Sequence, residues 1–116
     1  MDVTIYHNPR CSKSRQTLAL LQENGVEPKV VAYLETPPSA ADLRTILDLL
    51  GIPARDLLRK KEAKEAGLDD PALTEAEIIA GMVTHPKVIE RPIVVVDDAK
   101  AALGRPPESV LPLIGK

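Results

Sequence analysis

The sequence predicts an α/β fold: a four-stranded mixed sheet flanked by helices, with a helical insertion between strands 2 and 3. Three observations predict it. A strand, a helix and a second strand follow one another at the amino-terminal end, which makes a βαβ unit with a parallel pair and a right-handed crossover. Residues 39–84 then carry mainly helical signals. Beyond them come two further β-prone runs and a last short helix, so the order is β-α-β, helices, β-β-α. With 116 residues, positions 1–116 read as one domain, long enough to bury a core.

Each element has a local reason. Val3-Thr4-Ile5-Tyr6 is a short β-prone run. The next helix starts at Cys11 or Ser12, is led by Thr17, Leu18 and Leu21, and runs to about Asn24, where Gly25 supplies a C′ residue. Lys29 to Leu34 is almost continuously apolar after its lysine, the pattern of a strand covered on both faces. Glu35-Thr36-Pro37-Pro38 is a stiff turn. Ser39 caps the following helix, with Asp42 at its third position in a variant of the capping box. Leu43, Ile46, Leu47 and Leu50 mark its buried face, and Gly51 stops it. Pro53 opens a helical turn from Ala54 to about Lys60, with Leu57 and Leu58 turned inward. Lys61 to Asp70 is so highly charged that it reads as solvated surface. Thr74 and Glu77 form a second capping box, Ile78, Ile79, Met82 and Val83 give an apolar face, and His85-Pro86 ends that helix. Ile93 to Val96 is a strand, Asp97-Asp98 a hairpin turn, and Lys100 to Leu103 its antiparallel partner. Gly104-Arg105-Pro106-Pro107 is a loop, and Glu108 to Ile114 a final helix limited by Pro112.

Composition excludes several classes. Apolar residues make up 44% and charged residues 28%, ordinary for a globular protein. Phe and Trp are absent, so the core is aliphatic, with Tyr6 and Tyr33 the only aromatics. A net charge of −2 argues against nucleic-acid binding. No stretch approaches the roughly 18 apolar residues of a membrane span. The amino terminus lacks the charged-then-apolar pattern of a signal peptide. A single cysteine forms no internal disulfide, and the chain reads as cytoplasmic. One cysteine and two distant histidines, His7 and His85, do not make a metal spacing, so no metal is expected. His85, before Pro86, reads as structural.

That cysteine is Cys11, placed where the strand-to-helix turn Asn8-Pro9 gives way to a helix. A lone cysteine is more often a small buried hydrophobe. Here, however, Pro9 is the only apolar residue within three positions on either side, which is not how a core position looks. A helix start offers unpaired N–H groups and partial positive charge, which favour the reactive thiolate. Arg10, Lys13 and Arg15 add charge, His7 adds more if protonated, and Ser12 and Ser14 offer hydroxyl donors. The same features favour an oxyanion close beside the sulfur.

The order of elements, with a cysteine at the first strand-to-helix turn, resembles the thioredoxin fold. Tyr6-His7-Asn8-Pro9, Cys11-x-x-Ser14-Arg15 and Tyr33-Leu34-Glu35-Thr36-Pro37-Pro38 narrow it. So do Leu57-Leu58-Arg59-Lys60, Arg91-Pro92-Ile93-Val94-Val95 and Gly104-Arg105-Pro106-Pro107-Glu108. Together they resemble the glutaredoxin-linked arsenate reductases, over essentially the whole chain. The resemblance implies that Cys11 is the nucleophile toward arsenate and that Arg59, Arg91 and Arg105 hold the oxyanion. Arginine suits that task because its planar fork pairs two oxygens at once. It implies a cis Arg91–Pro92 bond against the cysteine. It implies support of the thiolate by His7, Asn8, Ser14 and Arg15; for His7 the plain alternative is a hydrogen bond that caps the loop.

The resemblance further implies no bound cofactor. Glutathione is the co-substrate and glutaredoxin the partner, because Ser14 stands where dithiol enzymes have a resolving cysteine. The chain departs from better-known members in carrying Arg10 before the cysteine, where a small residue is common. It ends soon after the last helix, as in a shorter branch of the family. Two other readings stay open. One is a glutathione-dependent thiol reductase acting on other substrates. The other is a redox-sensing transcription regulator of the Spx type that binds RNA polymerase, whose usual switch is a Cys-x-x-Cys pair that this chain lacks.

Overall fold

The computed structural model describes residues 1–116. They fall into two compact units, one of residues 1–36 with 91–116 and one of residues 37–90. The helical unit is wider than the 39–84 marked by the sequence pattern. Its later boundary moves because main chain ties 57–59 to 88–90: Arg59 N donates to Val88 O (2.7 Å) and Glu90 N to Leu57 O (2.8 Å).

The first unit is built on β1 (Val3–His7), α1 (Ser12–Glu23), β2 (Lys29–Ala32), β3 (Ile93–Val96) and β4 (Lys100–Leu103), followed by a 3₁₀ segment, Pro107–Ile114. The sheet order is β2-β1-β3-β4. β1 runs parallel to β2, with Tyr6 opposite Val31, and antiparallel to β3, with Ile5 opposite Val94. β1 alternates, burying Val3, Ile5 and His7. β3 is central and buried at all four residues, which is why it reads as an unbroken apolar run. The core gathers Val3, Ile5, Leu21, Val94, Val96, Val110, Leu113 and Ile114. Each of the larger side chains buried there contributes about 1.5–3 kcal/mol.

The apolar run Lys29–Leu34 behaves otherwise than its pattern suggests. β2 lies at the sheet edge and stops at Ala32, where Glu35 N and Thr36 N both donate to Ala32 O. Val30 is 48% and Leu34 45% exposed. β-branched residues at 30 and 31 therefore serve a strand that is bonded on one side only. Asp97 and Asp98 both adopt positive φ, 55° and 51°, the geometry that a tight hairpin turn demands.

The helical unit holds α2 (Ala40–Leu50), a 3₁₀ turn (Ala54–Leu57), α3 (Lys60–Glu65), α4 (Glu75–Thr84) and a 3₁₀ turn at Pro86–Val88. Both capping boxes are formed, Ser39 with Asp42 and Thr74 with Glu77. α2 buries Leu43, Ile46 and Leu47, and α4 buries Ile78, Ile79 and Met82, while Val83, expected on that apolar face, is exposed. The charged stretch after Lys60 is not simply solvated surface. It forms α3, whose Ala63 is buried together with Leu68. One apolar stripe among many charges is too narrow to register as a periodic pattern. No helix is long and apolar enough to cross a membrane.

Candidate active site

β1 delivers the chain to Asn8, and the turn that follows is closed from several directions. Cys11 N donates to Asn8 O (3.0 Å), and Arg10 N donates to Asn8 Oδ1 (3.0 Å). Arg15 reaches back from α1, its Nη1 donating to Pro9 O (2.9 Å). Beneath the turn lies Ser14, fully buried. Its Oγ accepts from Asn8 N (3.0 Å) and sits 2.6 Å from His7 Nδ1. The Ser14 hydroxyl thus ties the His7 ring to the backbone of the loop, whichever ring nitrogen carries the proton. Burial, and then the charge of Arg15, push the His7 pKa below its ordinary 6.5. That shift favours the neutral ring near neutral pH, so little of the positive charge that a protonated His7 would add is present there. The ring anchors the loop through Ser14.

Cys11 is the N-cap residue of α1, in extended conformation, and its side chain caps nothing. Burial alone pushes its thiol up. That is outweighed by the N–H of Ser14, by the Arg91 guanidinium acting as hydrogen-bond donor and as charge, and by the N–H of Lys13. The net result is a thiol pKa below the ordinary value. The helix start and one arginine thus do most of the work, while Arg15, predicted as support for the sulfur, spends itself on Pro9.

Arg91 is only 9% exposed and precedes Pro92, and the peptide bond between them is cis. Gly104 N donates to Pro92 O (2.9 Å), and Arg105 Nη1 donates to Arg91 O (3.2 Å). Cys11, Arg91, Pro92 and Arg105 thus belong to one unit and are joined by direct contacts, with His7, Asn8, Ser14 and Arg15 forming the loop beneath the sulfur. No group of three or more His, Cys, Asp or Glu is placed to hold a metal ion.

The ArsC family profile matches residues 6–113. The chain belongs to the ArsC family. It is 60% identical over 116 residues to YfgD of Escherichia coli K12, a protein described as uncharacterized, covering 97% of each chain. It is 46% identical over 112 residues to an arsenate reductase of Neisseria meningitidis, covering 94% of this chain and 95% of the relative. Among solved structures, an arsenate reductase from Vibrio cholerae superposes with a TM-score of 0.91 at 50% identity, covering 97% of each chain. The fold of this ArsC chain is thioredoxin-like, a four-stranded mixed sheet with helices.

The third arginine suggested by the resemblance, Arg59, lies in the helical unit of this ArsC chain, as the N-cap residue of α3. Its Nη1 stands 3.0 Å from Glu62 Oε1, and its Nε 3.8 Å from Glu90 Oε1. Two carboxylates therefore share its charge, and an anion bound there would compete with them. Partly exposed pairs of this kind contribute about 1 kcal/mol, little enough for a bound anion to displace.

Two residues that the sequence reading named only as parts of a helix and of a loop complete the site. Thr17 is fully buried on α1, its Oγ1 donating to Lys13 O (2.8 Å) and lying 3.4 Å from Gly104 O. A Cβ on Gly104 would come within 2.8 Å of Pro92 Cγ and 2.9 Å of Thr17 Cγ2, and closer still to Thr17 Oγ1. Gly104 is thus what lets the end of β4, and Arg105 with it, lie against Pro92. The available signal was a glycine directly before the arginine of a Gly-Arg-Pro-Pro loop. Thr17 gave none, since its position matched the helix core period.

Proposed function

We propose that this chain reduces arsenate to arsenite through the Cys11 thiolate, with glutathione and glutaredoxin supplying the electrons. The observation that carries the reading is the setting of the single thiol: it stands at the start of α1, where the Ser14 and Lys13 N–H groups and the Arg91 guanidinium hold its pKa below the ordinary value. That setting favours both a thiolate and a tetrahedral oxyanion next to it. Membership of the ArsC family and the arsenate reductases among the relatives support the substrate.

The steps balance as follows. Arsenate arrives as an oxyanion. Arg91 and Arg105 offset its charge. The thiolate attacks arsenic, an As–S bond forms, and one arsenate oxygen leaves as water after taking up protons. Glutathione then attacks the Cys11 sulfur. An S–S bond forms, the As–S bond breaks, and its electron pair remains on arsenic, which is released as arsenite. The glutathione thiol proton goes to the departing arsenite. Reduced glutaredoxin removes the glutathione and restores the thiol. Ser14 cannot replace that external thiol, because its oxygen cannot close a disulfide; its hydroxyl instead bonds Asn8 and His7.

Intact-mass spectrometry with coupled turnover tests this. Exposed to arsenate and glutathione, the wild-type chain should gain one glutathione, reduced glutaredoxin should remove it, and Cys11→Ser should show neither event. Repeated arsenate reduction with no added thiol would overturn the one-cysteine mechanism. Uptake of glutathione from glutathione disulfide, with one glutathione thiolate released and no reaction with arsenate, would replace it with a general glutathione-dependent thiol reductase.

A further inference from the structure

We propose that the cleft on the β2 side of the Cys11 loop seats the γ-glutamyl head of glutathione. The identity of that thiol rests on the arsenate-reductase reading above; the cleft and its charges do not. The cleft has a volume of about 260 Å³ and is lined by Asn8, Pro9, Arg10, Ala32, Leu34 and Glu35, with His7.

The sheet order decides which reagent goes where. β1, which carries the Cys11 loop, lies between β2 and β3. Arg91 stands just before β3 and Arg105 just after β4, so these two arginines approach the thiol from the β3–β4 side. An oxyanion held by them occupies that side and leaves the β2 side for the second reagent. The cleft lies there.

Its chemistry suits a zwitterion and disfavours arsenate. Arg10 and Glu35, both exposed, place one charge of each sign on the lining. Pro9, Ala32 and Leu34 supply apolar surface beside them, and the exposure of Leu34 is otherwise unexplained for so large a side chain. The His7 ring favours its neutral form, so little further positive charge is added. A free inorganic oxyanion would meet the carboxylate of Glu35. An α-amino-acid head group carries a carboxylate for Arg10 and an ammonium for Glu35. Of the two ends of glutathione, only the γ-glutamyl end has both. Pockets that enclose a drug-sized ligand run to roughly 300–1,000 Å³, so this one grips an end of the tripeptide and leaves its thiol free. Arg10 directly precedes Cys11 in the chain, so the lining of the cleft runs up to the residue that carries the sulfur. The step served is the S–S bond formation already written, which needs no further reactant.

The test uses the full chain and a reaction that needs no arsenate. The Cys11 thiolate attacks glutathione disulfide, giving the mixed disulfide and one released glutathione thiolate, and intact mass reads the rate. The control oxidant is the disulfide of cysteinylglycine, which lacks the γ-glutamyl group. Its use cancels any effect of Arg10 on the acidity of Cys11. Wild type should prefer glutathione disulfide over the control. Arg10→Gln and Glu35→Gln should each lose about tenfold of that preference, the loss of one charge-assisted contact. In arsenate turnover the same variants should raise the KM for glutathione by a similar factor. If both variants keep the wild-type preference and the wild-type KM, the cleft assignment is wrong while the arsenate reading stands. If the preference falls in the variants but wild type never turns over arsenate, the cleft stands and the arsenate reading falls.

Discussion

Gly104→Ala is the sharpest single perturbation the site offers. The added methyl would lie 2.8 Å from Pro92 Cγ and 2.9 Å from Thr17 Cγ2, and would overlap Thr17 Oγ1. None of these is the far end of a flexible side chain. Pro92 is a buried, rigid ring, and Thr17 is buried and bonded to Lys13 O. The strain must therefore be relieved by moving β4 and the Arg105 loop away from Pro92. Overpacking of this kind costs about 1–3 kcal/mol. For a chain of this size that is a fall in Tm of roughly 4–12 °C. The movement also lengthens the Gly104 N to Pro92 O bond (2.9 Å) and withdraws Arg105 from Arg91 O (3.2 Å). On the arsenate reading the KM for arsenate should rise more than kcat falls, because the thiol and Arg91 stay in place. Thr17→Ala, made together with Gly104→Ala, removes two of the three clashing atoms. The pair should be less destabilised than the sum of the single variants by about 1 kcal/mol. Thermal unfolding of the four proteins measures that coupling. Strict additivity, or a Gly104→Ala chain as stable as wild type, would refute the packing argument.

Arg91→Ala should move the thiolate titration of Cys11 up toward the free value of about 8.5, read by the ultraviolet absorbance of the thiolate. Thiol reactivity rises with pH as the thiolate forms and then levels off, so this variant should level off at a higher pH than wild type; an unchanged midpoint would remove Arg91 from the argument. Arsenate turnover should fall about ten- to a hundredfold as well, the worth of one charge-assisted contact of roughly 1.5–3 kcal/mol. His7 titrates in the same direction for a different reason. Its folded pKa lies below the ordinary 6.5, so its contribution to stability is complete above that value and is lost as pH falls through the folded pKa. Acid should therefore destabilise wild type more steeply than His7→Gln, and parallel stability curves would show that the ring is not held neutral.

Much of this was legible in the sequence because the decisive residues act locally. Ser39 with Asp42 and Thr74 with Glu77 announce their helices through three-residue spacing, and both boxes form. Asp97-Asp98 announces its turn, and Gly25 and Gly51 their helix ends, with φ of 79° and 70°. The failures share a cause. Lys29–Leu34 looks like a central strand because apolar character does not reveal how many neighbours a strand has; the position at the edge is a property of the whole sheet. α3 hides because Ala63 and Leu68 are a thin stripe among charges. At the site, Cys11 stood out through its polar neighbours. The anchoring of His7 depends on Ser14, seven residues away, and the fit of Gly104 depends on Thr17, 87 residues away. Pairings at that separation leave no periodic trace in one sequence.

The division of labour between the two arginines follows from their burial and their partners. Arg91 is 9% exposed and bonded to the thiol, so its position is set before any substrate arrives. Arg105 is exposed and is bonded to a main-chain oxygen at 3.2 Å, a contact that water or an anion can replace at little cost. A thiolate and an arsenate anion brought together repel each other, and one guanidinium cannot compensate both. On the arsenate reading, Arg91 makes the nucleophile and Arg105 makes room for the second negative charge. Lysine at position 105 would keep that charge but lose the planar fork, and with it the ability to hold two oxygens while the third is displaced. The close approach at Gly104 then has a function beyond packing, because it fixes where that second charge is available.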